Sequence, residues 1–137
     1  MKLSPNTRYA VRILFELGGA AGPVSIAALS GTTGITLRTV ELVHTVLKKH
    51  GVTQGFVGPR GGIHLKVPLS EVSLGQLILW FDEGIELNVC CGDKADICPR
   101  QRDCCTSAAL LRTAERLQMK LNNLFLQDII DTFSRKK

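Results

Sequence analysis

The sequence predicts a mainly α-helical chain with one small β-hairpin. Capped segments with apolar residues three or four positions apart recur through the first half. A Gly/Pro-rich turn, "GPRGG", separates two short β-prone runs, and a regular apolar pattern follows near the C-terminus. With 137 residues and 45% hydrophobic content, the chain is large enough for one folded domain with an extension.

Three helices are predicted in the first part of the chain. The N-cap Ser4, followed by proline, predicts a first helix over about residues 5–19. Ser25 caps a short second helix, which two glycines end. Thr36 caps a third helix, which Gly51 closes behind two lysines.

The second and third helices have the layout of a helix-turn-helix, because a short glycine-containing turn joins them. In that motif the early residues of the second helix contact base edges in the major groove of DNA. An ordinary three-helix core is the alternative for this segment.

The role of Glu41 near the start of the third helix is open. It could accept a hydrogen bond from cytosine or be an ordinary surface residue. The candidate DNA-contacting residues of the third helix are Thr36, Arg38, Thr39 and Glu41.

A β-hairpin is predicted directly after the third helix, from runs at 52–57 and 63–67. Its turn carries a single arginine, Arg60. A hairpin at this place completes a winged helix, and a narrow minor groove attracts arginine. We therefore expect Arg60 to contact DNA, with a solvated turn residue as the alternative.

Positive charge is concentrated in the first half of the chain. Residues 1–66 carry eight Lys or Arg and two acidic residues, a net charge of +6. Residues 67–137 carry nine basic and ten acidic residues, a net charge of −1. This asymmetry favours a polyanion as the partner of the first half, although a solvated basic face would look the same.

A membrane location is not expected. No apolar run approaches the roughly 20 residues that span a bilayer. Charged residues also interrupt the N-terminal apolar stretch, unlike a signal peptide. We therefore expect a cytoplasmic protein that does not enter the membrane.

A long C-terminal helix is predicted to mediate dimerisation. Apolar residues in it recur four, three, four and three positions apart, which is the spacing of heptad a and d positions. This spacing favours packing on a second copy, although the helix could also fold back on its own core. A homodimer would present paired recognition helices and wings to a palindromic operator in double-stranded DNA. The predicted seam consists of Leu110, Ala114, Leu117, Leu121 and Leu124.

These elements divide the chain into three parts. Residues 1–84 form a winged helix-turn-helix domain that ends in a linking helix, over about 74–83, started by a capping box at Ser73. Residues 85–106 form a cysteine-rich loop. Residues 107–137 form the dimerisation helix and a C-terminal tail.

All five cysteines fall within the stretch "NVCCGDKADICPRQRDCCTS". Cytosolic thiols stay reduced, so we expect metal binding or redox sensing rather than structural disulfides. Seven residues separate Cys90 from Cys98, and five separate Cys98 from Cys104. This is poor spacing for structural zinc but is permitted for an iron–sulfur cluster. Reactive or incidental thiols are the alternative.

Several stretches together match a known pattern: "MKLSPNTRYAVRILFEL", "ITLRTVE", "GPRGGI", "DEGIELNVC", and cysteines at 90, 98 and 104. With these, nearly the whole chain resembles the IscR/NsrR-type family of bacterial winged-helix transcription regulators. The resemblance implies a DNA-binding repressor that senses redox, nitric oxide or iron–sulfur status. It also implies that Cys90, Cys98 and Cys104 bind an iron–sulfur cluster ahead of the dimerisation helix.

The fourth cluster ligand of that family is not matched. IscR-like members place a histidine three residues after the third cysteine, where this chain has Ser107. NsrR-like members use an aspartate near the N-terminus, where this chain has Arg8. Cys91 and Cys105 are therefore reserve candidates, and the cluster type, 2Fe-2S or 4Fe-4S, stays open.

Two other functions remain open. A cluster-free winged-helix regulator could respond through reactive thiols or a partner protein. An iron–sulfur carrier is less favoured, because it would need the thiols but not the wing. We do not expect an enzyme, since the sequence has no phosphate-binding loop and no recognisable catalytic arrangement.

Overall fold

The computed structural model describes residues 2–87 and 98–136, and most of these residues are helical. A mainly α-helical chain with a two-stranded hairpin is therefore confirmed. None of the helices in the described ranges is both long enough and apolar enough to cross a bilayer. In chain order the elements are α1 (Pro5–Gly19), α2 (Ile26–Thr33), α3 (Leu37–Lys49), β1 (Thr53–Phe56), β2 (Gly62–Leu65), a 3₁₀ turn (Leu69–Glu71), α4 (Leu74–Asp82), a second 3₁₀ turn (Gln101–Asp103), α5 (Cys105–Asn122) and α6 (Leu126–Arg135).

The first four helices begin where their caps predict. The side chains of Ser4, Ser25 and Thr36 each accept a hydrogen bond from the backbone N–H three residues later. The Ser73 side chain does the same, and its own N–H donates to Oε1 of Gln76 at 2.9 Å, which completes the capping box. These bonds satisfy N–H groups that the helices leave without an internal partner.

The hairpin is antiparallel and is anchored to the connection between α1 and α2. Thr53 pairs with Leu65, and Ile63 forms an additional bridge with Val24, in which both N–H···O distances are 2.8 Å. Gly62 has a φ of +151°, and a Cβ there would overlap the backbone of Val24. Glycine at this position therefore allows the close approach that holds the base of the hairpin.

The hydrophobic core lies among α1, α2, α3 and α4, and α6 returns to it. Leu126 of α6 is fully buried, and its N–H donates to the carbonyl of Val72 at 2.9 Å. An isolated bridge between Ser73 and Phe125 holds the same connection. The large, fully buried apolar side chains are Ile13, Leu14, Leu29, Val40, Val43, Leu47, Val72, Leu77, Ile78 and Leu126.

Helix α5 packs closely on the start of α4. Gly75 is buried, and a Cβ there would overlap the backbone and the side chain of Asn122. The Gln118 side chain donates to the Gly75 carbonyl at 3.0 Å. The missing side chain at Gly75 therefore sets how near α5 can lie to α4.

We expect Gly75→Ala to lower the free energy of unfolding by about 1–3 kcal/mol, because overpacking a closed contact forces the backbone to shift. Urea denaturation measures the loss. Gly19→Ala is the matched control, since its added Cβ meets no heavy atom of the described residues within 4 Å beyond its chain neighbours and the nearby backbone of its own helix. Equal urea midpoints for the two variants would contradict the close packing of α4 and α5.

Candidate nucleic-acid interface and cysteine site

Helix α3 turns one side to the core and the other to solvent. Arg38 and Glu41 are exposed near its start. Thr36 is exposed and Thr39 is half-buried, and the Thr36 hydroxyl donates to Oγ1 of Thr39 at 2.9 Å. The Thr36 hydroxyl also accepts from the Thr39 N–H, so it caps the helix while it is bonded to the Thr39 hydroxyl. The core side of α3 consists of Val40, Val43 and Leu47.

Arg60 lies in the turn between β1 and β2 and is exposed. Val57, in the same turn, is fully exposed, and Phe56, the last residue of β1, is 48% exposed. A projecting turn with an arginine and exposed apolar groups has the composition of a DNA-contacting wing.

Helix α3 is joined to α4 by a ring contact. His50, the C-cap of α3, stacks on Trp80 of α4 with ring centroids 4.2 Å apart and planes 8° from parallel. Trp80 is the only tryptophan in the sequence. The stack couples the end of the candidate recognition helix to the helix that precedes the cysteines.

The other two histidines hold the hairpin. Nδ1 of His44 lies 2.9 Å from Oγ1 of the buried Thr53. Burial, and then the charge of Lys48, lower the pKa of His44 below its ordinary value, so the neutral ring is favoured. Nδ1 of His64 lies 3.1 Å from the carbonyl of Gln54. These contacts attach β1 to α3 and to β2.

Asp82 joins the end of α4 to the start of α1, a contact that sequence reasoning missed. Its carboxylate oxygens lie 3.2 and 3.3 Å from the donating N–H of Ser4. The hydroxyl of Thr7, which is fully buried, donates to the same carboxylate at 2.6 Å. A negative charge at a helix N-terminus is also favoured by the helix dipole.

The candidate cluster ligands are only partly within the described residues. Cys98 is exposed, and Cys104 is half-buried as the N-cap of α5. Cys105, the first residue of α5, is exposed. Cys90 and Cys91 lie outside the described residues. Within 2–87 and 98–136, no three His, Cys, Asp or Glu residues are placed to hold one metal ion.

Ser107 occupies the position at which IscR-like members have their fourth ligand, a histidine. It lies in the first turn of α5 and is buried, with 3% of its surface exposed. Arg8, at the other family position, is exposed on α1. Neither residue supplies the imidazole or carboxylate that the family resemblance implies. Of the candidate ligands, the described residues therefore include two thiols, the exposed Cys98 and the half-buried Cys104, with Cys105 next to Cys104 in the chain.

The predicted seam of α5 is divided between the interior and solvent. Ala114 is buried, and Leu124 is 37% exposed. A groove of about 500 Å³ lies between α4 and α5. Leu79 and Met119 line the groove and are 45% and 58% exposed. The remaining seam residues, Leu110, Leu117 and Leu121, are half-buried.

Comparison with known proteins places these features in context. Residues 3–132 match the Rrf2 family, described as iron-dependent transcriptional regulators. The HTH-type transcriptional regulator IscR of Escherichia coli O1:K1 is 32% identical over 133 residues, which cover 96% of this chain and 81% of that relative.

Two solved structures share the fold. CymR, the global cysteine regulator of B. subtilis, has a TM-score of 0.71 at 20% identity, covering 96% of this chain and 98% of that chain. IscR of T. potens has a TM-score of 0.74 at 19% identity, covering 100% of this chain and 91% of that chain.

We expect Asp82→Asn to lower the free energy of unfolding by about 1.5–3 kcal/mol, the range for hydrogen bonds to a charged group. The variant replaces a carboxylate that accepts from α1 with an amide that carries donors. Thermal unfolding followed by circular dichroism measures the change. Glu86→Gln, at an exposed carboxylate nearby in sequence, is the control. A melting temperature for Asp82→Asn equal to that of the control would contradict the proposed role of this contact.

Proposed function

Because the chain belongs to the Rrf2 family of transcriptional regulators, we propose that it is a DNA-binding repressor that senses redox, nitric oxide or iron–sulfur status. Family membership confirms the resemblance found in the sequence, and the family consists of regulators rather than enzymes. One observation supports the proposal above the others. A winged helix that exposes Arg38 and Arg60 is followed in the same chain by accessible thiols at the start of α5.

DNA recognition is assigned to α3 and the hairpin. Helix α3 lies in the major groove, where Glu41 faces the base edges and Arg38 reaches the phosphates at the edge of the groove. The N-cap Thr36, which accepts from the Thr39 N–H, holds the start of the helix. Arg60 reaches the adjacent minor groove. The net charge of +6 on residues 1–66 supports a phosphate backbone as the partner. A repressor bound across a promoter blocks access to it.

Sensing is assigned to the cysteines. We propose that Cys90, Cys98 and Cys104 bind an iron–sulfur cluster, with Cys91 and Cys105 as reserve ligands and the cluster type open. Accessible thiols suit such a group, because thiolates are its usual ligands. When bound, it would supply redox chemistry and reactivity toward nitric oxide. Cys104 occupies the N-cap position of α5, so a ligand bound to this thiol would lie at the start of that helix.

A homodimer in the cytoplasm completes the proposal. The apolar groove between α4 and α5 is open to solvent in the single chain, and a second copy of α5 would cover it. Two recognition helices related by a two-fold axis would then contact a palindromic operator.

A cluster-free regulator is the second candidate. Cys98 and Cys105 are exposed in the described part of the chain, which would allow thiol oxidation or contact with a partner protein without iron. A carrier of iron–sulfur clusters is disfavoured, because it would not need the winged helix.

We expect Arg60→Ala to weaken operator binding by about 1–3 kcal/mol, the typical value for a base-contacting arginine. Fluorescence anisotropy at several salt concentrations, on a duplex that the wild-type protein selects from a randomised library, measures this loss. Arg112→Ala, at an exposed arginine on α5, is the control and should bind like the wild type. Unchanged binding by Arg60→Ala would show that the wing does not contact DNA.

We expect protein purified without oxygen to be coloured and to contain iron and sulfide, and Cys98→Ala to lose both, because the substitution removes one thiolate ligand. Visible absorbance with iron and sulfide assays measures the content. Cys105→Ala tests a reserve position and should keep its iron if Cys105 is not a ligand. Colourless, iron-free wild-type protein would rule out the cluster and leave the cluster-free regulator.

A further inference from the structure

A leucine stands in the middle of the solvent-facing side of α3. Leu42 is 57% exposed, whereas the valines at 40 and 43 and the leucine at 47 are buried. Residues spaced four, three and four apart share one face of a helix. The α3 stripe defined in this way consists of Arg38, Leu42, Thr45 and Lys49, all of which are exposed.

The α3 stripe is cationic at its ends and apolar in its middle. Arg38 and Lys49 occupy the two ends. The hydroxyl of Thr45 donates to the Glu41 carbonyl at 2.8 Å, so this hydroxyl is bound to the helix and the methyl group remains beside Leu42. Such a face suits a ligand that is anionic at its edges and apolar between them.

The major groove of DNA has this chemistry. Phosphates line both of its edges, and the C5-methyl group of thymine is the apolar group that base pairs display on its floor. Arginine and lysine at the ends of the α3 stripe match the phosphates, and Leu42 matches the methyl group. Resting on the DNA-binding function proposed above, we propose that Leu42 contacts a thymine methyl group and selects an A·T pair in each half-site.

Leu37 offers a comparison on the same helix. It is 51% exposed, close to the value for Leu42, but it lies to the side of the α3 stripe. If exposure alone mattered, the two leucines would affect DNA binding alike. Only Leu42 is placed between the cationic ends, so only Leu42 should respond to the thymine methyl group.

The experiment begins with a library of randomised DNA duplexes, from which the wild-type protein selects its strongest sites. Each thymine of the best duplex is then replaced singly by deoxyuridine, which lacks the C5-methyl group. We expect one replacement per half-site to weaken wild-type binding about 4-fold, a ratio typical of losing one buried methylene-sized contact. Leu42→Ala should bind the thymine and deoxyuridine duplexes equally, whereas Leu37→Ala should keep the 4-fold difference.

The possible failures are distinguishable. Selection of a duplex that tolerates every deoxyuridine replacement would overturn the role of Leu42 and leave the DNA-binding function standing. A 4-fold difference between the thymine and deoxyuridine duplexes that persists in Leu42→Ala would also overturn the role of Leu42. A library that yields no enriched duplex would overturn the proposed function and the role of Leu42 together. Circular dichroism of both variants checks that each is folded, as expected for exposed positions.

Discussion

The hydrogen bonds that Asp82 accepts from Ser4 and Thr7 hold the end of α4 against the start of α1, and the other helices are arranged around α4. Trp80, two residues earlier, stacks on His50 at the end of α3. Near the start of α4, the missing side chain at Gly75 allows α5 to pack closely on α4. One nine-residue helix therefore touches the first helix, the candidate recognition helix and the helix that starts at the cysteines.

In the proposed function, this arrangement would provide a physical route between the cysteines and DNA. The cysteine-rich segment follows α4 in the chain and leads into α5, which packs back on α4. If Cys104 binds the proposed cluster, a change of ligand at its thiol would act on the first turn of α5, and dense packing would transmit a shift of α5 to α4. In a homodimer, such a shift would change the separation of the two recognition helices. Coupling of this kind typically amounts to about 1–3 kcal/mol, or roughly 5- to 150-fold in affinity.

Local signals were sufficient to predict the elements but not the contacts between them. The caps at Ser4, Ser25 and Thr36 and the capping box at Ser73 predicted the starts of four helices, because each bond spans only three residues. The Asp82 contact spans 75–78 residues of sequence, so no local pattern indicated it. For the same reason, the heptad spacing of α5 did not reveal how much of its seam would pack on α4.

The candidate site was predictable to a similar extent. The placement of Arg38 and Arg60 on exposed surfaces followed from helix periodicity and turn composition. Leu42 was missed as a DNA-contacting residue, because an apolar residue next to Val43 in sequence would be expected in the core. Only the structure shows that Leu42 is exposed while Val43 is buried.

The most direct test of the link between the cysteines and DNA compares the operator affinities of iron-loaded and iron-free protein at one salt concentration. A difference between 5- and 150-fold is the expected result, and equal affinities would contradict the link.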